Sequence, residues 1–155
     1  MKYTEIKKTL ESLKFSHSGK IKSYGSKLLY ESNDDVIDKG PHVYCWVLNS
    51  GNQSEILYVG KAGKGIFQRM KQHERGFLGP TKSGSKSGLE KAKQLNIHLE
   101  KNNDISVYIR VPNKYHVAGL KEKVSANGLS FEEDAFINYF REKNFILKMN
   151  KSIKK

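Results

Sequence analysis

Two tyrosines, an arginine and histidine four residues apart, and a late glutamate are the side chains with most chemistry to offer in this chain of 155 residues. Tyr44 stands in His42-Val43-Tyr44-Cys45-Trp46 and Tyr58 in Leu57-Tyr58-Val59-Gly60-Lys61. Arg69 and His73 bracket Arg69-Met70-Lys71-Gln72-His73, and Glu133 falls in Glu132-Glu133-Asp134. A tyrosine hydroxyl beside a cation or a metal can be deprotonated enough to act as a general base. The task that fits such a base here is activating water against a phosphodiester. Arg69 could stabilise the charge developing on the phosphorus with its forked donors. His73, one helical turn further, could hold the water or a phosphate oxygen. Glu133 offers a hard oxygen ligand for Mg²⁺, which keeps most of its waters, and a metal there would stabilise the leaving 3′ oxygen. Lys61, directly after Gly60, is placed to meet the scissile phosphate or to lower a tyrosine pKa. The sequence permits this scheme without requiring it.

Each residue also has a plainer reading. A strand tyrosine is usually a cross-strand packing group. Arginine and histidine on a helix usually belong to its solvated face. Glu133 follows Ser130 by three residues, which is the spacing of a capping box. Glu132 and Asp134 are rival carboxylates. Lys61 and Lys64 among Gly63 and Gly65 resemble a phosphate-binding nest, but no Gly-Lys-Ser/Thr follows, which excludes a P-loop. His98 and His116 have no ligand-like spacing.

The elements that must position these groups follow from pattern. Ile6, Leu10 and Leu13 recur at helical spacing over residues 2–15. Residues 16–26 (SHSGKIKSYGS) read as loop, 26–32 as a strand or helical turn, and 33–41 as a polar connector. His42–Leu48 and Glu55–Gly60 are rich in β-formers around Asn49-Ser50-Gly51-Asn52, the pattern of a hairpin. A glycine-rich turn leads into a helix over 66–74. Residues 76–88 read as a flexible basic loop, 89–100 as a helix, 104–111 as a strand and 113–129 as irregular. A helix then runs from the Ser130 cap to about Asn144, followed by the apolar segment 145–150. The order predicts an α+β fold, a small three-stranded antiparallel sheet flanked by helices. It is read as one domain: an N-terminal extension (1–41), the hairpin and catalytic helix (42–75), a basic helical insertion (76–103), and the third strand with the metal-ligand helix (104–150).

Charge points the same way. The chain holds 28 Lys+Arg against 16 Asp+Glu, a net of +12. Residues 61–123 alone carry 14 basic and 5 acidic side chains, so most of the excess lies beside the proposed catalytic helix. A polyanion partner is the leading inference. Lys64, Lys71, Arg75, Lys82, Lys86 and Lys91 are the candidate phosphate contacts, and Asn150 is a further candidate nucleic-acid contact. No run of about 18 apolar residues offers a membrane span, and no membrane partner is expected. The single cysteine, Cys45, excludes an intramolecular disulfide and a Cys-rich zinc site, and a reducing cytoplasm is the natural compartment.

The segments 42–75 and 130–150 resemble the GIY-YIG nuclease superfamily. Tyr44 matches that family's first tyrosine and Tyr58 its second, in Tyr58-Val59-Gly60. Arg69 and His73 match the helix pair, Glu133 the metal-binding glutamate, and Asn150 the closing asparagine. The glycine of the first motif is replaced by His42, and the region after His73 is long and cannot be matched. The resemblance implies a single-metal endonuclease acting on double-stranded DNA, with Mg²⁺ or Mn²⁺ held by Glu133. The residues before the hairpin and the basic insertion could read sequence, which fits a compact Type II restriction enzyme, with a homodimer expected for cutting both strands. A structure-specific or mobile-element nuclease and a non-catalytic binding module are the alternatives.

Overall fold

The structure is a computed structural model and describes residues 1–36, 39–116 and 125–150. The chain runs α1 (Tyr3–Ser12), β1 (Ser16–Tyr24), β2 (Lys27–Ser32), β3 (His42–Ser50), β4 (Gln53–Ala62), α2 (Ile66–Phe77), α3 (Lys86–Glu100), β5 (Asp104–Arg110), β6 (Lys114–His116), β7 (Ser125–Asn127) and α4 (Leu129–Glu142). Five strands form one sheet in the order β2-β1-β5-β3-β4. Every pairing in it is antiparallel.

β3 is buried along seven successive residues. Side chains alternate across a strand, so it feeds two cores at once. Tyr44, Trp46 and Leu48 join Ile66, Met70 and Phe77 of α2 and Ala92 and Leu95 of α3. Val43, Cys45 and Val47 join Ile6 and Leu10 of α1 and Phe140 of α4 on the other face. This is why residues 42–48 read as an unbroken β-forming run rather than an alternation.

The expected three-stranded sheet is therefore a sheet of five, and the N-terminal segment is not an appendage to it. SHSGKIKSYGS, whose composition is that of a loop, is mostly β1, which pairs with both β2 and β5. Its small polar residues are used inside the fold. Ser18 Oγ donates to Val107 O at 3.0 Å. A Cβ on Gly19 would meet Glu31 O at 2.2 Å, so the close pairing with β2 needs glycine there.

The 76–88 segment differs from expectation as well. It forms a 3-10 turn over Pro80–Lys82 and then α3, capped by Ser85, whose Oγ accepts from Gly88 N at 2.9 Å. Residues 113–129 include the short pair β6–β7, joined through residues outside those described, Lys121 and Lys123 among them. The capping box is absent: α4 begins at Leu129 with Gly128 at its N-cap and no side-chain cap.

Candidate active site

The β3–β4 register sets the tyrosines. Trp46 lies opposite Tyr58 and Tyr44 opposite Gly60, so Tyr44 and Tyr58 are diagonal neighbours on one face, with ring centroids 5.9 Å apart. Gly60 is a steric requirement. A Cβ there would come within 2.5 Å of the Tyr44 hydroxyl and 2.8 Å of the Tyr58 ring. The register shifts just beyond Trp46, leaving Leu57 without a partner on β3. Leu57 O accepts instead from Met149 N at 3.1 Å. Asn150 then binds the outer edge of β4 like an added strand. Val59 N donates to its Oδ1 and its Nδ2 donates to Val59 O, both at 2.8 Å. The structure thus gives Asn150 a different task from the expected nucleic-acid contact: its amide holds the strand that carries Tyr58 and Gly60.

Gly65, at φ 108, turns the chain from β4 into α2, a conformation that favours glycine. α2 then presents Arg69 and His73 to the tyrosines on successive turns. The Tyr44 hydroxyl is 2.6 Å from His73 Nε2 and accepts from Arg69 Nε at 3.2 Å. Arg69 NH1 donates to Gln72 Oε1 at 3.0 Å. Burial, with the charges of Arg69 and Lys91, pushes the His73 pKa down to about 3, so its ring is neutral at ordinary pH. In the tautomer with its proton on Nδ1, Nε2 accepts the Tyr44 hydroxyl proton. Tyr44 is fully buried, and burial holds its pKa well above the phenol range against the pull of Arg69. Tyr58 is half-buried and is the tyrosine that solvent reaches.

The carboxylate arrives from the other layer. Lys61 follows Gly60 by one residue and so leaves β4 on the α4 side. It donates to Ser130 Oγ at 3.0 Å and pairs with Glu133 at 3.8 Å. Lys61 is not among the charges acting on Tyr44. Ser130 meets a lysine instead of capping α4, so Glu133 is free of the capping role. Burial raises the Glu133 pKa, and Lys61 and then Arg69 pull it back. Arg69 is thus the group felt by both the tyrosine and the glutamate.

Glu132, the rival carboxylate, is spent elsewhere. Its buried Oε1 pairs with Arg110 Nε at 2.7 Å and its Oε2 accepts from Asn113 N at 2.7 Å. Arg110 also donates to Leu13 O at 2.8 Å. Asp134 is exposed.

The basic residues divide into two sets. Lys64, Lys71, Arg75, Lys82 and Lys86 are exposed on the turn before α2, on α2 itself, on the 3-10 turn after it and at the start of α3. Lys91 is half-buried, with its Nζ 4.9 Å from the Tyr58 ring centroid. By sequence it is one more outlying phosphate contact. Nothing in the sequence places it beside Tyr58, because its position depends on how α3 crosses α2.

No group of three or more His, Cys, Asp or Glu side chains converges among the described residues. One half-buried carboxylate suits a cation that keeps most of its waters, such as Mg²⁺ or Mn²⁺, and does not suit a tetrahedral zinc site.

No protein-family model and no curated protein matches the chain. Its fold is similar to two solved structures. One is a point mutant of bacteriophage T4 EndoII, at TM-score 0.64 and 14% identity, covering 87% of this chain and 94% of that one. The other is the restriction endonuclease HPY188I in complex with product DNA, at TM-score 0.54 and 16% identity, covering 99% and 84%.

Proposed function

We propose that this protein is a metal-dependent endonuclease that hydrolyses phosphodiester bonds of double-stranded DNA by a GIY-YIG-type mechanism. The observation that carries the reading is the Tyr44 hydroxyl, hydrogen-bonded to Arg69 and His73, with Glu133 within the influence of the same arginine. A structural tyrosine needs no neutral histidine acceptor and half-buried guanidinium on one hydroxyl. The basic surface beside the site and the likeness of the fold to a restriction endonuclease in complex with product DNA support the substrate.

In this reading the phosphodiester draws the Arg69 guanidinium onto its oxygens, which releases the Tyr44 hydroxyl to face the attacking water. Tyr44 takes the water's proton as its own passes to His73. Burial is the main cause of the low His73 pKa, and the phosphate's negative charge offsets the smaller part that Arg69 and Lys91 add, so the ring becomes a better acceptor once DNA is bound. Tyr58 lines the water side of the site. Glu133 would hold the hydrated Mg²⁺ or Mn²⁺, which supplies charge stabilisation at the leaving 3′ oxygen. Lys61 holds the Glu133 carboxylate in place until the cation arrives.

Sequence-specific Type II restriction is the biological role the reading favours, with a homodimer placing one site on each strand. The alternative is a structure-specific or mobile-element nuclease. The test of the activity is Glu133→Ala. Plasmid cleavage in Mg²⁺ should be abolished while the gel-shift affinity in Ca²⁺ is kept. Full cleavage by this variant would remove Glu133 from the metal role.

A further inference from the structure

Lys91 is the one candidate phosphate contact of the basic insertion that enters the aromatic cluster of the site. Its ammonium lies over the Tyr58 ring, and its charge reaches His73. This placement is built into the helix crossing. A Cβ on Gly88 would meet Gly76 O at 2.3 Å, and one on Gly84 would meet Arg75 O at 2.6 Å. Ser85 N also donates to Gly76 O at 3.2 Å. The end of α2 and the start of α3 therefore touch backbone to backbone, which only glycine allows. One and two helical turns beyond Gly88, Ala92 and Leu95 pack into the core. Lys91 is thus carried on a clamped helix, and its half-buried stem leaves little freedom to the ammonium. Lys86 starts the same helix, but it and Lys82 are exposed and lack the half-buried stem.

We infer that Lys91 is a further catalytic residue, whose ammonium receives a non-bridging oxygen of the scissile phosphate together with Arg69. The inference rests on the nuclease reading above. Two cations from two different helices flank the tyrosine pair, and a phosphodiester entering beside Tyr58 meets both. An aromatic face orients an ammonium and leaves its positive charge in place. Charge that develops on the phosphate oxygens as water attacks then finds two fixed donors in a partly desolvated site.

The test separates rate from affinity. Lys91→Met and Lys91→Arg are compared with Lys93→Met, which removes the same charge from an exposed position of the same helix. Cleavage of supercoiled plasmid in Mg²⁺ is followed with enzyme in saturating excess, and affinity for duplex DNA is measured in Ca²⁺. Lys91→Met should lower the saturated rate by about 10²-fold with affinity reduced less than about threefold. Lys91→Arg should recover part of the rate, Lys93→Met should cut as the wild type does, and melting temperatures should agree. Cleavage by Lys91→Met at the wild-type rate, or a deficit fully recovered by adding enzyme, overturns the inference. If that happens while Glu133→Ala is dead, Lys91 alone falls and the nuclease reading stands. A wild-type protein that cuts no duplex DNA in Mg²⁺ overturns both.

Discussion

Tyr44 and Tyr58 carry the same functional group, and their surroundings divide the work. Tyr44 has the His73 ring as a proton acceptor on its buried oxygen, whereas Tyr58 shares Arg69 with it and is the one that solvent reaches. Tyr44→Phe should lower the single-turnover cleavage rate by about 10²-fold or more, with a smaller effect for Tyr58→Phe, because only the first removes the group that moves the proton. Equal effects, or a larger one for Tyr58→Phe, would reverse the assignment. His73 adds a stability signature. Its folded pKa, about 3, lies below the ordinary value of 6.5, so below pH 6.5 the unfolded chain binds the proton more readily. Stability from this group is complete above pH 6.5 and is lost as pH falls toward 3, on the order of a few kcal/mol. Denaturation midpoints across that range should fall less steeply in His73→Gln. Burial raises the Glu133 pKa, so the acid limb of cleavage should move to lower pH when a polar substitution opens the surroundings of this carboxyl to water. Tyr44, Arg69 and His73 are brought together by local order, a hairpin followed by a helix, whereas Glu133 is singled out by the family resemblance and not by any local pattern. Residue type and helical pattern alone do not separate Glu132 from Glu133: which of two adjacent carboxylates meets Arg110 and which meets Lys61 depends on how α4 lies against β4 and β5. Asn150 is out of reach for a related reason, since its partner is a strand edge far away in the chain.

At the level of elements, β3, β4, α2, α3, β5 and α4 are readable because each has its own apolar pattern. β1 is not. Serine, glycine and lysine dominate it, and it becomes a strand because β2 and β5 supply partners on both sides. A sequence window has no access to such pairing. The glycines of the α2–α3 crossing suggest flexibility for the same reason, although they are packing. Gly88→Ala should therefore destabilise the protein by about 1–3 kcal/mol in urea unfolding, since the added methyl meets backbone that cannot rotate away. It should also reduce cleavage by displacing Lys91. A neutral outcome on both measures would show that α3 can slide without harm. The buried Arg110–Glu132 pair ties the end of β5 and the turn after α1 to the first turn of α4, next to Glu133. Arg110→Met should cost about 3–5 kcal/mol, because it strands a buried carboxylate.

For the molecule as a whole, the proposed function asks how a net charge of +12 would meet DNA. The exposed Lys64, Lys71, Arg75, Lys82 and Lys86 belong to the turn, helices and helix start on the layer that also carries Arg69, His73 and Lys91. Phosphates bound along that layer would lead toward the tyrosine pair. Replacing Lys71, Lys82 and Lys86 with glutamine should flatten the slope of log K against log salt by roughly one for each phosphate left without its lysine. The same layer bears on when the binding surface forms. Sequence composition suggests a flexible basic loop over residues 76–88, whose glycine- and serine-rich stretch 83–88 would order on DNA. The structure has it already built: Gly84 N donates to Gly79 O at 2.8 Å, Ser85 N to Gly76 O at 3.2 Å and Gly88 N to Ser85 Oγ at 2.9 Å. The amides of Gly84, Ser85 and Gly88 should therefore be protected from hydrogen exchange in the free protein, and DNA should add little to that protection. Binding should likewise lack the large negative heat-capacity change of coupled folding. Rapid exchange at all three amides without DNA, slowing sharply with it, would mean that the α2–α3 clamp forms only on the substrate. Lys91 would then reach Tyr58 as a consequence of binding rather than in preparation for it.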